Sequence, residues 1–147
     1  MLVRCVVVSQ LSIAMFRAGY LRCIFAIDCG FWKHASGKKY KLLLIESTTG
    51  NNENCCVAWA IVDGESTANV IWVIEQIRLS GIELNDSKVA TISDEGKAIL
   101  RAINIQLPLS FHMTCAKHWI GRQSGKWETT GKKESLFWKL VLVRIHR

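Results

Sequence analysis

Proline is nearly absent from this chain: Pro108 stands alone among 147 residues. No Pro-rich linker is present, and no low-complexity tract or internal repeat interrupts the sequence, so nothing marks an obvious domain boundary before about residue 123. No run approaches the roughly 18 apolar residues of a membrane span. The segment Cys5-Val6-Val7-Val8-Ser9-Gln10-Leu11-Ser12-Ile13-Ala14 follows Arg4, but Ser9, Gln10 and Ser12 dilute it and no small-x-small cleavage site follows. It is therefore not read as a signal peptide. The six cysteines (Cys5, Cys23, Cys29, Cys55, Cys56 and Cys115) lack the loop-centred spacing of a disulfide framework. They read as mostly buried thiols in a reducing compartment.

What is present is apolar content and positive charge. Half of the residues are hydrophobic and 21% are charged, a composition that excludes a disordered tail and suits one folded domain with a real core. The net charge of +7 is concentrated: residues 118–147 carry seven Lys or Arg against Glu128 and Glu134. Such a surface suits a polyanion, most simply a nucleic acid, and gives no reason to expect a membrane partner. Arg122, Lys126, Lys132 and Lys133, with Lys33 further upstream, are the candidate nucleic-acid contacts.

Strands are expected at Arg22–Cys29, Tyr40–Ile45 and Cys55–Val62, joined by the basic connection Lys33–Lys39 and the turn Thr48-Thr49-Gly50-Asn51-Asn52. Three strands with short polar loops predict an antiparallel meander. Next comes a helix with Val70, Ile71, Ile74 and Ile77 on one face, capped by Ser66 or Thr67 and stopped at Gly81. A fourth strand, Val89–Ser93, precedes a helix bearing Ala98, Ile99, Ala102 and Ile103, and Leu109–Thr114 reads as a fifth strand with a helix beyond. The order is mixed α/β. A helical crossover lets the fourth strand lie parallel to the first. Trp59 and Trp72 fall in apolar elements and read as core; Trp119, Trp127 and Trp138 lie in the basic third, where a DNA contact is conceivable, though core packing is the favoured reading for each; His34 reads as solvated.

Two of these strands run into single aspartates, Asp28 and Asp94. Taken singly, each suits a turn or a helix cap, and Asp94 is well placed to cap the helix that follows. Taken together, on parallel neighbours, they fall at one edge of the sheet, where two carboxylates could hold a divalent cation.

With these elements in place, the chain resembles the Mutator-like (MULE) family of DDE transposases and their ribonuclease-H-like core. The resemblance rests on Phe16–Arg22, on Asp28 with Phe31 and Lys33, and on Asn51-Asn52 with Ala58–Val62 and Glu65. It continues through Ile92–Ile99, through His112–His118 with its Cys-x-x-His pair Cys115 and His118, and through Leu136–Lys139. It implies a mixed sheet of about five strands flanked by helices over residues 22–122, preceded by a lead-in (1–21) and followed by the basic start of a helical insertion (123–147).

The resemblance also implies metal-dependent DNA strand cleavage and transfer, as in DNA transposition and recombination, with Asp28 and Asp94 as catalytic metal ligands for Mg2+ or Mn2+. DNA is the implied partner, the nucleus the implied location, and a homo-oligomer the usual working form. Cys115 and His118 are structural or supply two zinc ligands, with His112 as a third, though four are needed and no further pair is evident. The family's third carboxylate, a glutamate on a late helix, has no clear counterpart. Glu128 has a suitable spacing from Asp94 but sits in a loop-like Gly-rich stretch, with Glu134 six residues on. The expectation is a fragment lacking the C-terminal part of the core, catalytically incomplete; the alternative is a non-catalytic DNA-binding or relic α/β module.

Overall fold

A computed structural model describes residues 4–35, 37–94 and 96–119. Two compact units divide the chain after Cys115. In the first, the elements are β1 (Cys5–Val8), α1 (Gln10–Arg17), β2 (Ile24–Lys33), β3 (Lys39–Thr48), β4 (Asn54–Val62), α2 (Thr67–Leu79), β5 (Ala90–Ser93), α3 (Lys97–Gln106) and β6 (Phe111–Thr114). In the second, Ala116–Trp119 are helical. Glu128, Glu134, Arg122, Lys126, Lys132, Lys133, Trp127 and Trp138 lie outside the described residues.

The strands form one six-stranded mixed sheet in the order β1-β4-β3-β2-β5-β6. The meander β2-β3-β4 is antiparallel, and β5 pairs in parallel with both β2 and β6. Six strands replace the expected five because Cys5–Val8, read as lead-in, pairs antiparallel with β4 from Cys5↔Ile61 to Val8↔Ala58. Its Val6 and Val8 then pack against the core. The β2–β3 hairpin is also longer than the sequence suggests. Pairing continues to Lys33↔Lys39, so Asp28 lies within β2 and does not end it.

The pleat divides the sheet into unlike faces. Phe25 and Ile27 of β2, Leu43 and Ile45 of β3, Ala58, Ala60 and Val62 of β4, and Thr91 and Ser93 of β5 share one face, and all are buried. The buried side chains of the helices join them: Ile13 of α1, Val70, Val73, Ile74 and Ile77 of α2, and Ile99, Ala102 and Ile103 of α3. The opposite face carries Val7, Ile24, Trp59, Phe111 and Met113, all substantially exposed. Trp59 is therefore not a core residue: its register beside Leu44 puts it on the open face, 36% exposed. Trp72 is half-buried and receives the Arg4 guanidinium 5.7 Å from its ring centroid.

The cysteines are free thiols, as expected, but none is buried. Cys5 shares the open face with Ile61, Cys23 precedes β2, and Cys56 pairs with Glu46 where the β3–β4 register slips.

Local signals explain the crossover. Ser66 Oγ accepts the Asn69 backbone N–H at 3.2 Å, which caps α2. The Asn69 amide in turn donates to Asp63 Oδ1 and the Gly64 carbonyl, both at 2.8 Å, fixing the chain as it leaves β4. Gly81, at φ +97°, ends the helix in a conformation that only glycine takes readily. Replacing Ser66 with Ala leaves a helix-end N–H without its acceptor and is expected to destabilise the domain by about 1 kcal/mol. Urea unfolding followed by circular dichroism measures it; an unchanged midpoint would contradict the cap.

Candidate metal centre

The parallel β2–β5 ladder runs from Ile24↔Ala90 to Ile27↔Ser93, and the next residue on each strand is an aspartate. Pairing thus delivers Asp28 and Asp94 side by side, with carboxylate oxygens within 4.8 Å of one another. Each is oriented by backbone. Asp28 Oδ1 accepts the Cys29 N–H at 2.9 Å, and Asp94 Oδ1 accepts the Gly96 N–H at 3.0 Å. Asp94 is consequently a turn residue and not the cap of α3, whose N-cap is Gly96 with no side-chain acceptor.

Gly96 matters for a second reason. A Cβ there would stand 2.9 Å from both Asp94 Oδ1 and Glu65 Oε1, so a larger residue would push at least one of these carboxylates out of the space they share. The other Glu65 oxygen accepts from Lys41 Nζ at 2.8 Å, and the pair is largely enclosed, with side chains 16% and 26% exposed. The Lys41 ammonium also lies 3.8 Å from the Phe31 ring centroid. Its pKa is raised, first by the hydrogen bond to Glu65. Cys29 belongs to the same group: its half-buried position, reinforced by the negative charge of Glu65, pushes its thiol up to about 11.

The ladder continues into β6, with Ser93↔Thr114 as its last pair. His112, weighed from sequence as a third zinc ligand, hydrogen-bonds Ser93 at 2.9 Å between Nε2 and Oγ. Because Ser93 Oγ donates its proton to the Asp94 carbonyl at 2.8 Å, it accepts from His112 Nε2–H. Burial lowers the His112 pKa. Cys115 closes the first unit, its N–H donating to the Ser93 carbonyl at 2.7 Å, and His118 belongs to the second. Lys33 is exposed at the end of β2, and His34, exposed as expected, meets the Trp32 ring edge-on.

Of the predicted site residues, then, the fold unites Asp28 and Asp94. Lys41 and the functions of Glu65 and Gly96 were not read from sequence as parts of this site. One signal was available: Lys41 is a lone charge in the apolar run Tyr40–Ile45, and such a charge calls for a partner.

A mixed sheet with two aspartates brought together by parallel pairing defines an α/β domain with an acidic edge able to receive a cation. The chain belongs to the MULE transposase domain family, whose model matches residues 24–122. None of the curated proteins matches it. The matched span begins at the first residue of β2 and includes both aspartates.

Two outcomes follow from this geometry. Cys29 remains a protonated thiol at pH 8, so iodoacetamide should modify it well after the exposed Cys23; peptide mass mapping reads the order, and equal rates would contradict its enclosure. His112 has a folded pKa below its unfolded value of about 6.5. The stability it allows is therefore complete above pH 6.5 and is lost as pH falls through the lowered folded pKa. Urea midpoints should drop between pH 7 and pH 5, and the drop should shrink in His112→Gln.

Proposed function

We propose that the domain is a ribonuclease-H-like core of DDE type in which Asp28 and Asp94 hold a divalent cation for work on DNA strands. The observation that carries this reading is the meeting of the two carboxylates at the end of the parallel ladder. Leaving β1 aside, the order β4-β3-β2-β5-β6 supports it, with three antiparallel strands followed by parallel ones.

The donor set fits the ion. Both ligands are hard carboxylate oxygens, which suit Mg2+ or Mn2+, and each has one oxygen committed to a backbone N–H that fixes its direction. When bound, such a cation activates water or a 3′-hydroxyl and stabilises the leaving oxygen in phosphoryl transfer. The chain's own residues orient and space the ligands: the Cys29 and Gly96 amides hold the two carboxylates, and Lys41 keeps Glu65 charge-compensated beside them.

Among the described residues Asp28 and Asp94 are the two carboxylates that come close enough to share a cation, Glu65 being tied to Lys41, and two hold a second cation poorly, so we infer that this chain binds DNA and metal without efficient turnover. DNA would be gripped through Lys33 and through Arg122, Lys126, Lys132 and Lys133, and a chain acting on chromosomal DNA would work in the nucleus.

Mn2+ binding, followed by electron paramagnetic resonance, should fall at least tenfold in Asp28→Asn and in Asp94→Asn. Affinity unaffected by either change would sink the metal reading. With Mg2+ present, a nicked or blunt DNA end should remain uncut; robust cleavage that disappears in Glu128→Gln would overturn the inference of an incomplete site. DNA affinity should decline steeply with salt, as phosphate neutralisation requires.

A further inference from the structure

Past Asp28 the β2–β3 hairpin changes character. No acidic residue occurs between Cys29 and Ile45, while Lys33, Lys38, Lys39 and Lys41 do. On the face that carries Asp28, alternate positions of β2 are Gly30 and then Trp32, and the register sets Tyr40 directly opposite Trp32. The two rings lie 5.7 Å apart between centroids, tilted by 37°. The His34 ring meets Trp32 edge-on at 5.7 Å, and Lys38 Nζ stands 5.4 Å over Tyr40. Despite these contacts Trp32 is 39% exposed, and Phe31 on the opposite face is 77% exposed.

Gly30 separates the aromatic group from the carboxylates. A Cβ at this position would meet nothing closer than the Leu42 carbonyl oxygen at 4.0 Å, so packing within the chain does not demand a glycine. A strand glycine without an internal packing reason leaves bare backbone for something outside the chain to approach. Four residues of strand span about 13 Å from Asp28 to Trp32. That is within reach of roughly four nucleotides at the 3.4 Å spacing of a stacked strand.

We propose that Gly30, Trp32, Tyr40 and Lys38 form a track for a single DNA strand with unpaired bases, leading away from the Asp28–Asp94 edge. Flat rings beside an ammonium group are the chemistry that grips single strands: bases stack on the aromatics and a phosphate meets Lys38. A duplex keeps its base faces occupied and cannot use the rings in this way. The lysines alone would serve any polyanion, but the Trp32–Tyr40 pair beside them favours one that carries aromatic bases. The inference rests on the reading of the acidic edge as a DNA-processing site, and it adds where the strand lies and in what form.

The test compares the whole chain's affinity for two labelled oligomers of equal length and charge, oligo-dT and an abasic backbone, by fluorescence anisotropy in EDTA. Metal then plays no part. Oligo-dT should bind about tenfold more tightly than the abasic oligomer, and Trp32→Leu should close most of that gap. Leu preserves an apolar partner for Tyr40 but offers no flat face, and circular dichroism confirms that the variant is folded. Gly30→Val, which suits a strand, should weaken oligo-dT binding several-fold by obstructing the track. Lys38→Ala should weaken both oligomers alike and reduce the salt slope by about one. Equal affinity for the two oligomers, or a gap that survives Trp32→Leu, overturns the track, as does displacement of oligo-dT by polyglutamate as readily as by unlabelled oligo-dT. Mn2+ binding in the same variants separates the two ideas: its retention alongside a lost gap supports the track, whereas a gap independent of Trp32 in a chain that binds Mn2+ removes the track and spares the metal reading.

Discussion

Everything at the acidic edge depends on the parallel pairing of β2 with β5. Ile27 and Ser93 are its last partners, and because the ladder is in register the next residue of each strand is an aspartate. A slip of one residue would turn Asp28 or Asp94 to the wrong face of the pleat and separate the carboxylates. The register is held from below by the buried Phe25, Ile27, Thr91 and Ser93, which could not exchange places with the open-face residues without exposing the core. Burying apolar surface on one side of the sheet is thus what places two charges at its end.

The same edge shows how charge is managed where carboxylates crowd. Glu65 enters from the turn after β4 and would add its repulsion to that of Asp94, but Lys41 compensates it at 2.8 Å. Gly96 provides the space in which the two acids face each other. The network links strand β3, the turn before α2 and the turn before α3, so the edge is tied to three separate parts of the fold. Beyond it the β2–β3 hairpin is basic and aromatic, and the sign of the surface changes within a few residues of one strand. An acidic edge beside a more basic hairpin is the charge arrangement on which the proposed DNA-processing function rests.

Much of this was legible along the chain. The Ser66 cap, the Gly81 stop, the turn at Thr48–Asn52 and the apolar faces of α2 and α3 are local signals, and local physics produced them. The meander and the crossover followed from loop lengths. Other features depend on partners distant in sequence. Cys5–Val8 is a strand because β4 offers it an edge, and Lys33 extends β2 because Lys39 stands opposite. Trp59 and the cysteines are more exposed than their apolar surroundings predict for a related reason: apolarity shows that a residue favours burial, but pleat parity and the side on which the helices pack decide whether it receives it.

By itself the sequence determined the types of the main elements, the two aspartates that follow apolar runs, and the resemblance to the family to which the chain belongs, because these reside in residue identity, spacing and period. Tertiary structure decided which face of the sheet is covered and that Asp28 and Asp94 meet within 4.8 Å. It also decided that Lys41 answers Glu65, and that Trp32 and Tyr40 stand together on the aspartate face. The physical reason is the same in each case. A strand specifies its alternation locally, but its register, its neighbours and the sign of the charge opposite each side chain exist only once distant segments have paired.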